Sequence, residues 1–135
     1  MTISSYSDLL AEAAQQAQPQ RLLFTFAKVS LPTKSNDQQK QAFEQQQGGE
    51  LSPIMCVDKL LEELSDFSNL VKEADLTGNA WDIVFVSTMS GKNGIAPTSE
   101  NANRMLDRMI ESINNGNISF YLAFNRAGDL LQFKV

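Results

Sequence analysis

Four consecutive apolar residues, Ile83 to Val86, constrain this sequence more than any other feature. Successive side chains of a β-strand point to opposite faces of the sheet, so an uninterrupted apolar run predicts a strand that is buried on both faces. Such strands are typical of the centre of a parallel sheet with helices on either side. The run therefore predicts a covered sheet rather than one with a face open to water.

Strand-like and helix-like patterns alternate along the rest of the chain. The spacing of apolar residues predicts strands over 22–29, 53–58 and 81–88. It predicts helices over 6–17, 60–74 and 98–113, and the second of these could instead restart at Ser65. Ile118–Phe124 and Leu130–Val135 flank a turn at Asn125–Gly128, a pattern that predicts a β-hairpin. We therefore predict a single α/β domain over 1–135, a two- or three-layer sandwich. Its mostly parallel sheet has about five strands and a C-terminal antiparallel hairpin.

The segment 33–50 differs in composition from its neighbours. Six of the ten residues from Gln38 to Gln47 are glutamine, and the only apolar residues among these ten are Ala42 and Phe43. Burial of two apolar side chains compensates only a small part of the conformational entropy that the segment would lose on folding. The segment is either a short solvated helix anchored by Phe43 or a Gln-rich loop inserted between two strands.

The residues that are missing exclude several chemistries. The chain has no histidine and one cysteine, Cys56. Ser-His-Asp and Cys-His catalysis within the chain are therefore excluded, as are histidine-ligated and thiolate zinc sites. We predict no metal and no cofactor.

Charge and cysteine content also bear on compartment and partners. The formal net charge is −5, and the 11 basic residues are scattered rather than clustered, which disfavours nucleic acid as a partner. Residues 1–8 lack the basic and apolar regions of a signal peptide, and no apolar run is long enough to span a membrane. A single cysteine fits a reducing compartment, so we predict a cytoplasmic protein with no membrane partner.

The loop from Ser90 to Ser99 is the strongest candidate site. It follows the predicted buried strand and leads into a helix, a position where ligands often bind in open α/β sheets. Backbone N–H groups and a helix N-terminus favour anions there. The segment lacks the spacing of a phosphate-binding Walker loop, so a plain turn with a Thr98 cap is the alternative. The candidate ligand-binding residues are Ser90, Gly91, Lys92, Gly94, Thr98 and Arg104.

Three functional interpretations follow from these features. The first is a non-catalytic binding module for an anionic small molecule or a protein partner. The second is a small enzyme that uses Lys92 or Cys56, although a free cysteine within a strand is more often a small buried hydrophobic residue. The third is a homodimer that pairs through the C-terminal edge strand, Leu130–Val135.

Several segments resemble a family of small uncharacterised bacterial proteins whose members are sometimes labelled "ribonucleotide reductase subunit alpha". The resemblance covers nearly the whole chain and rests on Arg21–Phe24, Met55–Lys59, Val84–Val86 and Leu122–Phe124. These are strand-core and turn patterns, so the resemblance implies kinship and no catalytic residue. The label does not describe a function for this chain, because catalytic subunits of that reductase are large barrels with several redox cysteines.

Overall fold

A computed structural model describes residues 3–30 and 50–131. Its elements, in chain order, are α1 (Tyr6–Ala14), β1 (Gln20–Ser30), β2 (Glu50–Leu60), a 3-10 turn (Leu61–Glu63), α2 (Phe67–Asp75), β3 (Ile83–Ser90), α3 (Ser99–Asn114) and β4 (Leu122–Asn125). Nearly all of the predicted Gln-rich insertion, residues 33–50, lies outside the described residues, and only Glu50 is seen, as the start of β2. No helix within the described part of the chain is long and apolar enough to cross a membrane.

The described strands form one sheet in the order β2-β1-β3-β4. Every neighbouring pair in this sheet is antiparallel. The predicted α/β class is confirmed, but the prediction of a mostly parallel sheet of about five strands is wrong. The sheet is small, has four strands over residues 3–30 and 50–131, and is antiparallel throughout.

The position of β1 explains this error. β2 and β3 each pair antiparallel with β1, so they run in the same direction as each other, and α2 lies between them in the chain. The alternating pattern is compatible with this shared direction, but it carries no information about the strand that separates them. The apolar run Ile83–Val86 is buried because helices cover both faces of the sheet. An apolar run reports covered faces and not strand direction.

Among the described helices, α3 is the one that covers the first face of the sheet. Leu23, Ala27 and Phe85 of the sheet pack there against the apolar side of the helix. That side comprises Ala102, Leu106, Met109 and Ile113, each at most 3% exposed. Their spacing of three or four residues places them on one stripe of the 16-residue helix, as the sequence predicts.

The two shorter helices, α1 and α2, cover the opposite face. Leu22, Phe24 and Phe26 of β1 point to this side, because they alternate with Leu23 and Ala27. An aromatic cluster joins the two helices to β4. The ring of Tyr6 lies 5.2 Å from that of Phe67 and 5.9 Å from that of Phe124, both edge to face.

Side-chain caps fix the starts of all three helices. The side chains of Ser5, Asp66 and Thr98 accept hydrogen bonds from backbone N–H groups three residues later. The cap predicted at Thr98 is confirmed. Of the two starts predicted for this helix, Leu60 is wrong and the restart near Ser65 is close. The helix begins at Phe67, because β2 continues to Leu60 and Asp66 provides the cap.

The two edges of the sheet differ. Beside β4, the Leu131 N–H donates to the Ala123 carbonyl at 2.8 Å and Asp129 forms a bridge with Ser5, so the predicted hairpin begins to pair there. Residues 132–135 of that hairpin lie outside the described residues. No described strand pairs with the outer edge of β2. This edge carries Pro53, which has no N–H, and a bulge, because Phe26 pairs with Met55 and Ala27 pairs with Pro53.

Candidate functional site

The predicted glycine loop contains a tight two-residue turn. Lys92 and Ile95 exchange two backbone hydrogen bonds of 2.9 Å. Asn93 and Gly94 between them have φ values of 56° and 77°. Positive φ at both central residues defines a type I′ turn, for which Asn-Gly is the preferred sequence. Ser90, Gly91, Lys92 and Gly94, four of the predicted site residues, therefore lie together at the end of β3.

Four of the backbone N–H groups of this turn already have protein partners. The Gly91 N–H donates to the Pro19 carbonyl and the Gly94 N–H donates to the Oε1 of Gln18, both at 2.8 Å. The N–H groups of Lys92 and Ile95 are used within the turn. A Cβ at Gly91 would collide with the Ile95 carbonyl oxygen, so packing requires this glycine. An anion bound here would therefore depend on side chains rather than on a backbone cradle.

The side chains of the predicted site residues have different partners. Ser90 Oγ accepts a 2.7 Å hydrogen bond from Gln20 Nε2, and Thr98 caps α3. Lys92 and Arg104 are exposed, and neither forms an ion pair with another described residue. No hydrogen bond within the described residues joins Arg104 to the turn. The structure thus brings the turn residues together but does not link Arg104 to them.

A cleft of about 630 Å³ lies beside this turn, and we call it the α1 cleft. Its walls come from the end of α1, the start of β1, the end of β2 with the 3-10 turn, and the turn after β3. The lining residues are Ala13, Ala14, Gln16, Ala17, Gln18, Pro19, Gln20, Leu60, Leu61, Glu62, Gly94 and Ala96. Ile95, between the last two, is 71% exposed.

Three glutamines give the α1 cleft its fixed polar groups. Gln20, only 5% exposed, donates from Nε2 to the Gln18 carbonyl at 2.9 Å as well as to Ser90. Gln18 accepts from Gly94, and Gln16 Nε2 donates to the Glu12 carbonyl at 3.2 Å. These bonds connect the end of α1, the start of β1 and the turn. None of these glutamines is among the predicted site residues, and their clustering around Pro19 is the only sequence signal that could have indicated them.

The two glutamates of the 3-10 turn have different surroundings. Glu63 Oε1 accepts a 2.8 Å hydrogen bond from the Leu60 N–H, which closes the turn. Glu62 lines the α1 cleft and makes neither a hydrogen bond nor an ion pair with another described residue. No lysine or arginine is among the described residues that line the cleft. Glu62 is therefore the charged group of the cleft.

An ion-pair cluster fixes the start of α3 on the sheet. Arg21 donates to Asp58 at 2.5 Å and to the Pro97 carbonyl at 2.7 Å, and Ser99 Oγ donates to Asp58 at 2.9 Å. The side chains of Arg21 and Asp58 are only 12% and 17% exposed. Asp58 accepts bonds from two partners at once, so this cluster has a structural role in docking α3.

Cys56 is the nucleophile that the enzyme interpretation invokes. It lies in β2 and is exposed. Partial burial of the thiol raises its pKa, and the carboxylates of Asp107 and Asp58 raise it further. A raised pKa lowers the thiolate fraction at neutral pH, and the thiolate is the reactive form. These surroundings do not activate Cys56.

A second, smaller cavity of about 260 Å³ lies between β2 and α2, and we call it the β2 pocket. Its lining is mostly apolar, with Glu73 and Thr77 among the contributors from the α2 side. Glu73 is paired with Lys59 at 3.0 Å. In the described ranges, no group of three or more Asp, Glu and Cys side chains is placed to hold a metal ion.

We found no family model, curated protein or solved structure that matches this chain. The resemblance to the small bacterial family therefore stays a prediction. Functional inference depends on the geometry of the α1 cleft and its surroundings.

Proposed function

We propose that this protein is a non-catalytic binding module and that the α1 cleft is its ligand-binding site. Volume and lining support this proposal most strongly. Small-molecule sites typically enclose about 300–1,000 Å³ and combine an apolar lining with a few fixed polar groups. The α1 cleft has a volume of about 630 Å³ and combines alanine, proline and leucine surfaces with the carboxamides of Gln16, Gln18 and Gln20.

The lining also supports binding without catalysis. Glu62 is the only ionisable side chain among the described residues that line the cleft. General acid–base and nucleophilic catalysis normally need a second group within hydrogen-bond reach of the first. A single free carboxylate can hold or orient a ligand, but it forms no nucleophile–base pair.

The sequence-based proposal of an anionic ligand depends on Lys92 and Arg104. The turn lies at the rim of the cleft through Gly94 and Ala96, so an anion held by Lys92 would be adjacent to it. The engaged N–H groups of the turn and the absence of basic residues from the lining favour a ligand that is neutral or cationic within the cleft.

NMR titration with a fragment library tests the proposal. We expect fragments to shift the backbone amide resonances of Gly94, Leu61 and Gln16. Ala14→Phe should weaken binding at least fivefold, because it fills a cleft whose lining includes Ala14. Ala11→Phe, the same change at another exposed alanine of α1, is the matched control. The proposal is rejected if no fragment shifts these resonances or if Ala14→Phe binds as well as the control.

The same titration tests the alternative that the ligand is an anion held by Lys92. Inorganic phosphate and mononucleotides should then shift the resonances of Lys92 and Asn93, and Lys92→Ala should remove the effect. If phosphate or mononucleotides bind and the fragments do not enter the cleft, the ligand site is the exposed face of the turn and not the α1 cleft.

A second candidate function is self-association, and the open edge of β2 favours it. At the β4 edge, Ala123 of β4 already accepts a hydrogen bond from Leu131, and Asp129 forms a bridge with Ser5. At the other edge, no described strand pairs with the outer main-chain groups of β2. Such an edge can pair with the same strand of a second copy across a two-fold axis. The exposed side chains of Ile54 and Cys56 lie on this strand.

Light scattering across a range of concentrations measures the association. A dimer through β2 should give a doubled mass and an efficient Cys56–Cys56 crosslink under mild oxidation. A dimer that does not crosslink instead supports the C-terminal edge predicted from Leu130–Val135. A constant monomer mass rejects both forms.

A further inference from the structure

We infer that the α1 cleft selects ligands that carry a primary ammonium group on an apolar chain. This inference rests on the proposed function, since it names the ligand class of the same site. It depends on three properties of the lining: the end of a helix, one uncompensated carboxylate and an apolar floor.

The end of α1 supplies hydrogen-bond acceptors. The last carbonyl groups of a helix carry a partial negative charge and lack partners within the helix. Here Glu12 and Ala13 accept bonds from Gln15 and Gln16, whereas no described group donates to the carbonyl of Ala14. The last turn of α1 contains no basic residue. A cation at this end would occupy the position that a lysine or arginine often takes in other helices.

Glu62 supplies the full negative charge. The carboxylate of its neighbour Glu63 already accepts a hydrogen bond from the Leu60 N–H, so Glu63 closes the 3-10 turn and Glu62 does not. Two basic residues could neutralise Glu62, Lys59 near it in the chain and Arg21 at the start of β1. Lys59 is paired with Glu73 and Arg21 with Asp58, and neither lines the cleft. The carboxylate of Glu62 is therefore available to a ligand cation.

The remaining surface suits a hydrocarbon chain. Ala13, Ala17, Pro19, Leu61 and Ala96 contribute apolar surface to the same cleft. Burying methylene groups against such a surface contributes to affinity, while the ammonium group keeps its hydrogen bonds with carbonyl and carboxylate oxygens. The cleft thus offers separate surfaces for the two parts of an alkylammonium ion.

Three probes of equal chain length test this inference: hexylammonium, hexanol and hexanoate. We measure their affinities by NMR titration of the amide resonances of Gln16, Leu61 and Gly94. Hexylammonium should bind about two- to fivefold more tightly than hexanol, the range of a partly exposed ion pair, and hexanoate should bind more weakly than hexanol. Raising the salt concentration should reduce the preference for hexylammonium and leave hexanol binding unchanged.

Glu62→Gln should remove the preference for hexylammonium while hexanol binds as before. Glu111→Gln, an exposed glutamate of α3 away from the cleft, is the matched control and should preserve the preference. Equal binding of hexylammonium and hexanol overturns the inference but leaves the proposed function standing. Tighter binding of hexanoate also overturns it and restores the anionic ligand. Failure of all three probes to bind overturns the inference, and the fragment-library titration then decides the proposed function separately.

A final pair of probes distinguishes two sources of the ammonium group. We compare 1,5-diaminopentane with a lysine whose backbone groups are capped as amides. Tighter binding of the diamine identifies a free amine as the ligand. Tighter binding of the capped lysine identifies a lysine side chain of a protein, because the flanking amide groups then contribute through the glutamine carboxamides. Absence of binding by both, when hexylammonium binds, restricts the site to simple monoamines.

Discussion

The two faces of the sheet are covered in different ways. One helix of 16 residues, α3, covers one face, whereas two helices of nine residues each, α1 and α2, share the other. The α1 cleft and the β2 pocket both have walls from these short helices, and no residue of α3 lines either. A single long helix gives continuous cover, but two short helices leave gaps where they end. Candidate binding space therefore lies on the α1/α2 face.

The first test of this comparison uses the same substitution on both faces. Leu106→Ala on α3 should lower the free energy of unfolding by about 2–5 kcal/mol, because a residue that is 3% exposed leaves a cavity in continuous packing. Leu10→Ala on α1 should cost less, since Leu10 is only partly buried. Urea unfolding of the two variants measures the difference. Equal losses would show that the two faces are packed alike.

The ion-pair cluster at the start of α3 provides the second test. Arg21→Ala should destabilise by about 1–3 kcal/mol, because Asp58 is then left partly buried with one partner fewer. Lys59→Ala is the matched control on the α1/α2 face. It removes an ion pair whose Glu73 side chain is 56% exposed and should cost about 0–1 kcal/mol. If Lys59→Ala proves the more costly change, the cluster is not what holds α3.

Tyr6 allows a test by pH. Burial raises the pKa of Tyr6 to about 12, and the carboxylates of Glu73 and Asp66 add to the effect. The folded state holds the phenol proton more tightly than the unfolded state, so this contribution to stability is present below pH 10 and is lost as pH rises towards 12. Absorbance titration should show a late-ionising tyrosine that Tyr6→Phe removes. A titration of the wild type that is complete near pH 10 would contradict the burial of this ring against Phe67 and Phe124.

The smallest expected effect concerns the reaction rate of the Cys56 thiol. Because its pKa is raised, an alkylating reagent at pH 7.5 should label it more slowly than a free thiol in a short peptide, despite its exposure. The rate should increase steadily with pH above 8. Labelling as fast as the peptide control would indicate an activated thiolate and would favour the enzyme interpretation.

Local features of the fold could be predicted from the sequence, but the pairing of strands could not. Ser5 and Thr98 carry recognisable cap chemistry, and the run Ile83–Val86 indicates a buried strand. Neither kind of signal shows that β1 lies between β2 and β3, because pairing joins residues far apart in the chain. Residues 22 and 88, for example, are opposite each other in the sheet.

The candidate site was predictable only in part. Asn93-Gly94 is a type I′ signature, so the turn between Lys92 and Ile95 could have been recognised from its sequence. The α1 cleft could not, since three separate segments of the chain form it, 13–20, 60–62 and 94–96, and its alanines and glutamines match no motif. The docking role of Arg21 was also hidden, because its partner Asp58 is 37 residues away.

The aromatic cluster has a consequence for how the protein is made. Tyr6 near the start of α1 packs on Phe124 of β4, and Ser5 forms a bridge with Asp129. A nascent chain on the ribosome has α1 long before it has β4, so this face of the core must wait for translation of residues 122–129. Until then Phe67 is the ring partner of Tyr6 that has already been synthesised, so the aromatic cluster is completed only late in translation.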